Sequence, residues 1–120
     1  MIDFEIEQIS QSTSVVKVRG DLNDSTRNYF FDCITDLLGS DDEKTSITNV
    51  IIECNGLGVL SSSGMAALLT SRKNAKKRGT KIYLTHLSST IARALEVTKL
   101  NSLLAVYPTT KELLAKLDAQ

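Results

Sequence analysis

The chain has 120 residues, of which 42% are hydrophobic and 23% charged; this supports one modest core and leaves no room for a second catalytic domain. Its 14 basic and 14 acidic residues cancel to a net charge of 0, which excludes attraction to nucleic acid or to an anionic membrane by bulk charge. No apolar run approaches the roughly 18 residues of a membrane span, so no membrane insertion is expected.

Phe4–Ile9 and Val15–Arg19 alternate apolar and polar residues and predict two strands, joined by a Ser/Gln/Thr turn that suits a hairpin. Asp24 or Ser25 is placed to cap a helix whose apolar residues Phe30, Cys33, Ile34, Leu37 and Leu38 share one face, with Gly39 as its stop. The following segment to Asn49, acidic at Asp41, Asp42 and Glu43, reads as an exposed connection. Val50–Ile52 is continuously apolar, as in a strand covered on both faces. After a glycine-bearing loop, Ser61, Ser62 and Ser63 open a helix with Met65, Leu68, Leu69, Arg72 and Ala75 on one side. That helix ends in Lys76-Lys77-Arg78-Gly79, cations that complement its dipole. Lys81–Thr85 is a further strand, and Ser88 or Ser89 caps a helix through Ile91, Ala94 and Leu95. Leu104–Tyr107 is a last short strand closed by Pro108, and Thr109 or Thr110 begins a terminal helix burying Leu113, Leu114 and Leu117. The order is ββαβαβαβα, or ββαβαβαα if residues 104–107 do not pair into the sheet; the first is favoured, and predicts an α/β fold with a mostly parallel sheet of four to five strands, an N-terminal hairpin and about four helices. One domain over residues 1–120 is expected.

The loop after the central strand lacks the motifs of an enzyme. Gly56-Leu57-Gly58-Val59-Leu60-Ser61 nearly matches the dinucleotide fingerprint, but Ser61 replaces the third glycine and no carboxylate stands about 20 residues on. Gly64 is followed by Met65, so the Gly-Lys-Ser/Thr of a phosphate loop is missing, and the serine spacing does not make a nucleophile elbow. His86, the single histidine, reads as a surface or hydrogen-bonding residue. Together with two dispersed cysteines it cannot build a typical zinc site. No enzyme, metal or cofactor is expected. Cys33, in the helical stripe, and Cys54, at the end of a buried strand, read as two core thiols; with no apolar leader at residues 1–6, the expected compartment is the cytoplasm. Residues 1–60 hold 4 basic and 11 acidic residues and residues 61–120 hold 10 and 3, an asymmetry suited to a charged protein partner.

These features resemble the STAS domain, the family of anti-sigma-factor antagonists, over essentially the whole chain. The resemblance rests on the hairpin ending in Gly20-Asp21-Leu22, the Val50–Cys54 strand, the Ser61-Ser62-Ser63-Gly64 turn, and Lys76-Lys77-Arg78-Gly79 before the next strand. The family's turn usually reads Asp-Ser-Ser/Thr-Gly, and the first hydroxyl after the Asp accepts phosphate from a partner kinase. Register puts that hydroxyl at Ser62, with Ser61 and Ser63 as alternatives, and Ser61 stands where the family usually has Asp. The resemblance implies an antagonist that docks on an anti-sigma serine kinase of the histidine-kinase-like ATPase type when unphosphorylated and lets go when phosphorylated. A serine phosphatase would reset it.

The expected docking face combines Asp21 with Leu57, Gly58 and Val59, the serines with Gly64 and Met65, and Arg72 farther along the helix. Leu57 and Val59 are the candidates for exposed apolar contacts; Met65 and Leu68 read as core. The second reading, favoured by the serine at position 61, is a STAS accessory subunit of a transporter or lipid-trafficking complex that uses this face without phosphorylation. A small nucleotide-binding protein is disfavoured by the motif failures.

Overall fold

In the computed structural model, which describes residues 2–39 and 46–118, the predicted alternation is realised as β1 (Ile2–Gln8), β2 (Thr13–Leu22), α1 (Arg27–Leu38), β3 (Asn49–Leu60), α2 (Ser62–Lys77), β4 (Lys81–Thr85), α3 (Ser89–Val97), β5 (Ala105–Tyr107) and α4 (Thr110–Asp118). A 3₁₀ turn over Leu100–Ser102, not anticipated, precedes β5. The strands lie in the order β1-β2-β3-β4-β5; β1 and β2 form an antiparallel hairpin and every later pairing is parallel. The acidic Asp41–Glu43 segment, expected as an exposed connection, lies outside the described residues.

The apolar run of β3 is continuous because both faces of the sheet are covered. Val50 and Ile52 point into the main core with Phe30 and Ile34 of α1, Leu68 of α2 and Leu95 of α3. Ile51, of opposite parity, packs with Val15, Tyr83 and Leu113 of α4 on the other face. The four α-helices of the described residues therefore form two unequal layers around one sheet.

Three expectations are corrected. β3 does not end near Cys54 but continues to Leu60, paired with β2 through two register shifts. What looked like a glycine loop is strand because the glycines admit the neighbouring backbone: a Cβ on Gly56 would stand 2.7 Å from the Val18 carbonyl oxygen and 2.6 Å from Arg19 Cγ. The second correction concerns α1, whose cap position is Thr26, not Asp24 or Ser25. The Asn23 carboxamide folds back to accept the amides of Ser25 and Thr26 at 2.9 and 3.2 Å, holding positions 24 and 25 in a turn outside the helix. The third is Cys33, which lies half-buried on the flank of the stripe formed by Phe30, Ile34 and Leu38, whereas Cys54 is fully in the core.

Candidate functional site

The extended end of β3 delivers the three serines to the sheet edge where β2 also ends. The Ser61 amide donates to the Leu22 carbonyl at 3.0 Å. Ser61 is extended, at φ −82° and ψ 174°, and its Oγ accepts the Gly64 amide at 3.2 Å. This is an N-cap, which satisfies one of the amides that a helix start leaves without a partner. Gly64 in the first turn is buried against Leu22, whose carbonyl oxygen occupies the space a Cβ would need. The serine turn is thus clamped to the end of β2 by one hydrogen bond and one close backbone approach.

The three hydroxyls differ. Ser61 Oγ is committed to the cap. Ser63 Oγ donates to Asp24 Oδ1 at 3.3 Å, and the same carboxylate oxygen lies 3.6 Å from Arg27 Nε. Ser62, the first residue of α2, is exposed, and its Oγ has no hydrogen-bond partner among the described residues. A phosphoryl group on Ser63 would meet the charge of Asp24, while one on Ser62 would stand at the positive end of the α2 dipole.

The other predicted contact residues are partly gathered here. Asp21 lies over Gly58, with Oδ1 2.8 Å from where a Cβ would stand, and Val59 is 52% exposed beside them. Leu57, expected as an exposed contact, is buried: the register shift between Glu53 and Gly56 adds a residue to β3 and turns Leu57, of the same parity as Ile51, into the main core with Val50 and Ile52. Met65 is half-buried against the core, and Leu68 is core as expected. Arg72 is not part of this cluster, since it follows Ser62 by ten residues on α2, about 15 Å along the axis.

Residues that the sequence reading missed complete the face. Arg27, Asn28 and Phe31 of α1 and Ala66 and Thr70 of α2, together with the already expected Ser63, line a shallow concavity of 230 Å³ between the two helices. Polar and small residues spaced three to four apart on two helices are a faint signal in sequence, because only tertiary packing brings them opposite each other. His86 behaves as the hydrogen-bonding residue expected of it. Its Nε2 accepts the Thr110 amide at 3.2 Å and lies 3.8 Å from Glu53 Oε2, while the Thr110 hydroxyl donates to that carboxylate at 2.5 Å. These partners tie the start of α4 to the sheet and include none of the three serines. Among the described residues no group of three His, Cys, Asp or Glu side chains could hold a metal ion, and no helix is long and apolar enough to cross a membrane.

The chain matches the STAS domain family over residues 4–113. It belongs to that family. Solved structures agree on the fold of this STAS domain. SpoIIAA, an anti-sigma factor antagonist, superposes in its unphosphorylated form with a TM-score of 0.77 at 17% identity, covering 98% of each chain. The phosphorylated form of SpoIIAA, the Bacillus cell fate determinant, gives a TM-score of 0.69 at 17% identity over 96% of this chain and 99% of that one. An anti-sigma factor antagonist from Mycobacterium paratuberculosis gives 0.80 at 20% identity over 97% and 93%. The murine anion transporter Slc26a9 gives 0.82 at 14% identity, covering 94% of this chain but 19% of the transporter.

Proposed function

We propose that this STAS domain is an anti-sigma-factor antagonist in a partner-switching pathway. In its unphosphorylated state it binds an anti-sigma serine kinase of the histidine-kinase-like ATPase type through Asp21, Gly58, Val59 and the serine turn, with the α1–α2 concavity beside it. The observation that carries this reading is that Ser62 is exposed at the first position of α2 with an uncommitted hydroxyl, while Ser61 and Ser63 are engaged in hydrogen bonds. In the transfer, Ser62 Oγ forms a bond to the γ-phosphorus of the kinase's ATP, the bond to ADP breaks, and the hydroxyl proton passes to a base of the kinase. The product carries about −1.5 to −2 charges where a neutral hydroxyl had docked, and the contact fails by repulsion and desolvation. A serine phosphatase restores the hydroxyl.

Incubation with the cognate kinase and ATP, followed by intact mass and site mapping, tests the assignment. One phosphate is expected, on Ser62, and none on the Ser62→Ala variant. Full modification of Ser62→Ala, with the phosphate on Ser61 or Ser63, would remove the assignment. The serine at position 61, where the family usually has Asp, favours the second reading, an accessory subunit of a transporter or lipid-trafficking complex. That reading expects no phosphate and co-purification with a membrane protein.

A further inference from the structure

The end of the sheet opposite the serine turn carries a concavity of 490 Å³, within the size range of small-molecule sites. It lies between the C-terminal half of α2, the start of β4 and the segment entering β5. Its floor is aliphatic, since Ile82 and Leu104 are buried there, and Leu103 stands at the rim 49% exposed. Arg72 and Lys76 project from α2 along one side, and among the described residues no carboxylate belongs to the lining. Residues four apart share a helix face, and like charges so placed repel. Neither of these two cations has an ion-pair partner among the described residues. Lys81 does not add a third charge to the cleft, because its ammonium sits over the Tyr83 ring, 5.3 Å from the centroid.

A cation pair with no ion-pair partner among the described residues, beside an aliphatic floor, selects a ligand with one anionic head and an apolar body. The lining has no aromatic ring on which a nucleobase could stack, which argues against a nucleotide. We propose that this concavity binds an amphipathic carboxylate of the fatty-acid class, its head on Arg72 and Lys76 and its aliphatic chain along Ile82, Leu103 and Leu104. The site is at the far end of α2 from Ser62, and its test needs neither kinase nor phosphate.

The test is calorimetric titration of the full chain with sodium octanoate, against acetate as head alone and 1-octanol as body alone, with amide shifts followed by NMR. Octanoate is expected to bind saturably, with both comparison compounds at least about tenfold weaker, since charge-assisted contact and apolar burial each contribute about that factor. Shifts should centre on Ile82, Leu103 and Leu104. Lys76→Gln and Leu103→Asp, both at exposed positions, should each weaken octanoate binding by about tenfold, and their circular dichroism and melting should match the wild type. Acetate or octanol binding as well as octanoate, shifts centred elsewhere, or folded Lys76→Gln and Leu103→Asp variants that bind octanoate unchanged would each overturn the proposal.

Discussion

Ser61 accepts the Gly64 amide, so Ser61→Ala leaves that donor without its partner and should cost about 0.5–2 kcal/mol in chemical denaturation. Ser61→Asp, which installs the residue usual in the family, keeps a capping oxygen and adds a negative charge at the helix start; it should be at least as stable as the wild type. Next to it, Gly64→Ala places a Cβ against the Leu22 carbonyl, a backbone atom with little freedom to yield, and should cost about 1–3 kcal/mol. At Ser62 the expected effects fall on binding and leave folding intact. Ser62→Asp should stay folded yet bind the kinase about 2–5 kcal/mol more weakly, because the partner must desolvate or oppose an unpaired carboxylate, while Ser62→Ala binds constitutively. Calorimetry with the kinase reads this, and equal affinities of wild type and both variants would place the turn outside the interface. The cap at Ser61 was legible in sequence, since a hydroxyl between an apolar run and a helical period has few other uses. The engagement of Ser63 by Asp24 was not, because the two residues are 39 apart and only the packing of α1 beside α2 joins them.

Among the elements, β3 bears the strongest stability prediction. Ile52 is 1% exposed in the main core, so Ile52→Asp buries an unpaired charge and should abolish the cooperative thermal transition; a wild-type melting curve would refute the central placement of the strand. The inner part of β3 could be read directly from its continuous apolar residues. Its outer part could not, because Gly56 and Gly58 punctuate a sequence like a turn, and their real cause is the approach of β2 through the Val18 carbonyl and the Asp21 side chain, more than thirty residues away. The same blindness to distant packing misplaced Leu57: a residue between two glycines reads as exposed until the pairing of β3 with β2, with its register shift, assigns its side. The start of α1 erred for a local reason, as Asn23 competes for the amides that Asp24 or Ser25 would have left to a helix.

For the molecule as a whole, the thiol of Cys54 reports global unfolding. Burial, with a smaller contribution from the charge of Glu53, pushes it up from 9.0 to about 12. Below pH 9 the thiol is neutral in both folded and unfolded chains. Between 9 and 12 the unfolded chain releases a proton that the folded one retains, so stability falls as pH rises. The loss attributable to this residue should be about 1.4 kcal/mol at pH 10, read as the difference in pH dependence between wild type and Cys54→Ala in urea denaturation. A further consequence comes from the strand order β1-β2-β3-β4-β5, which equals the order of the sequence. Each strand leaving the ribosome finds its neighbour already made, and none must insert between two earlier ones. Every contact described as holding the serine turn, to Leu22, Gly64 and Asp24, lies N-terminal to β4. The turn can therefore assemble on the nascent chain before the last two strands are translated.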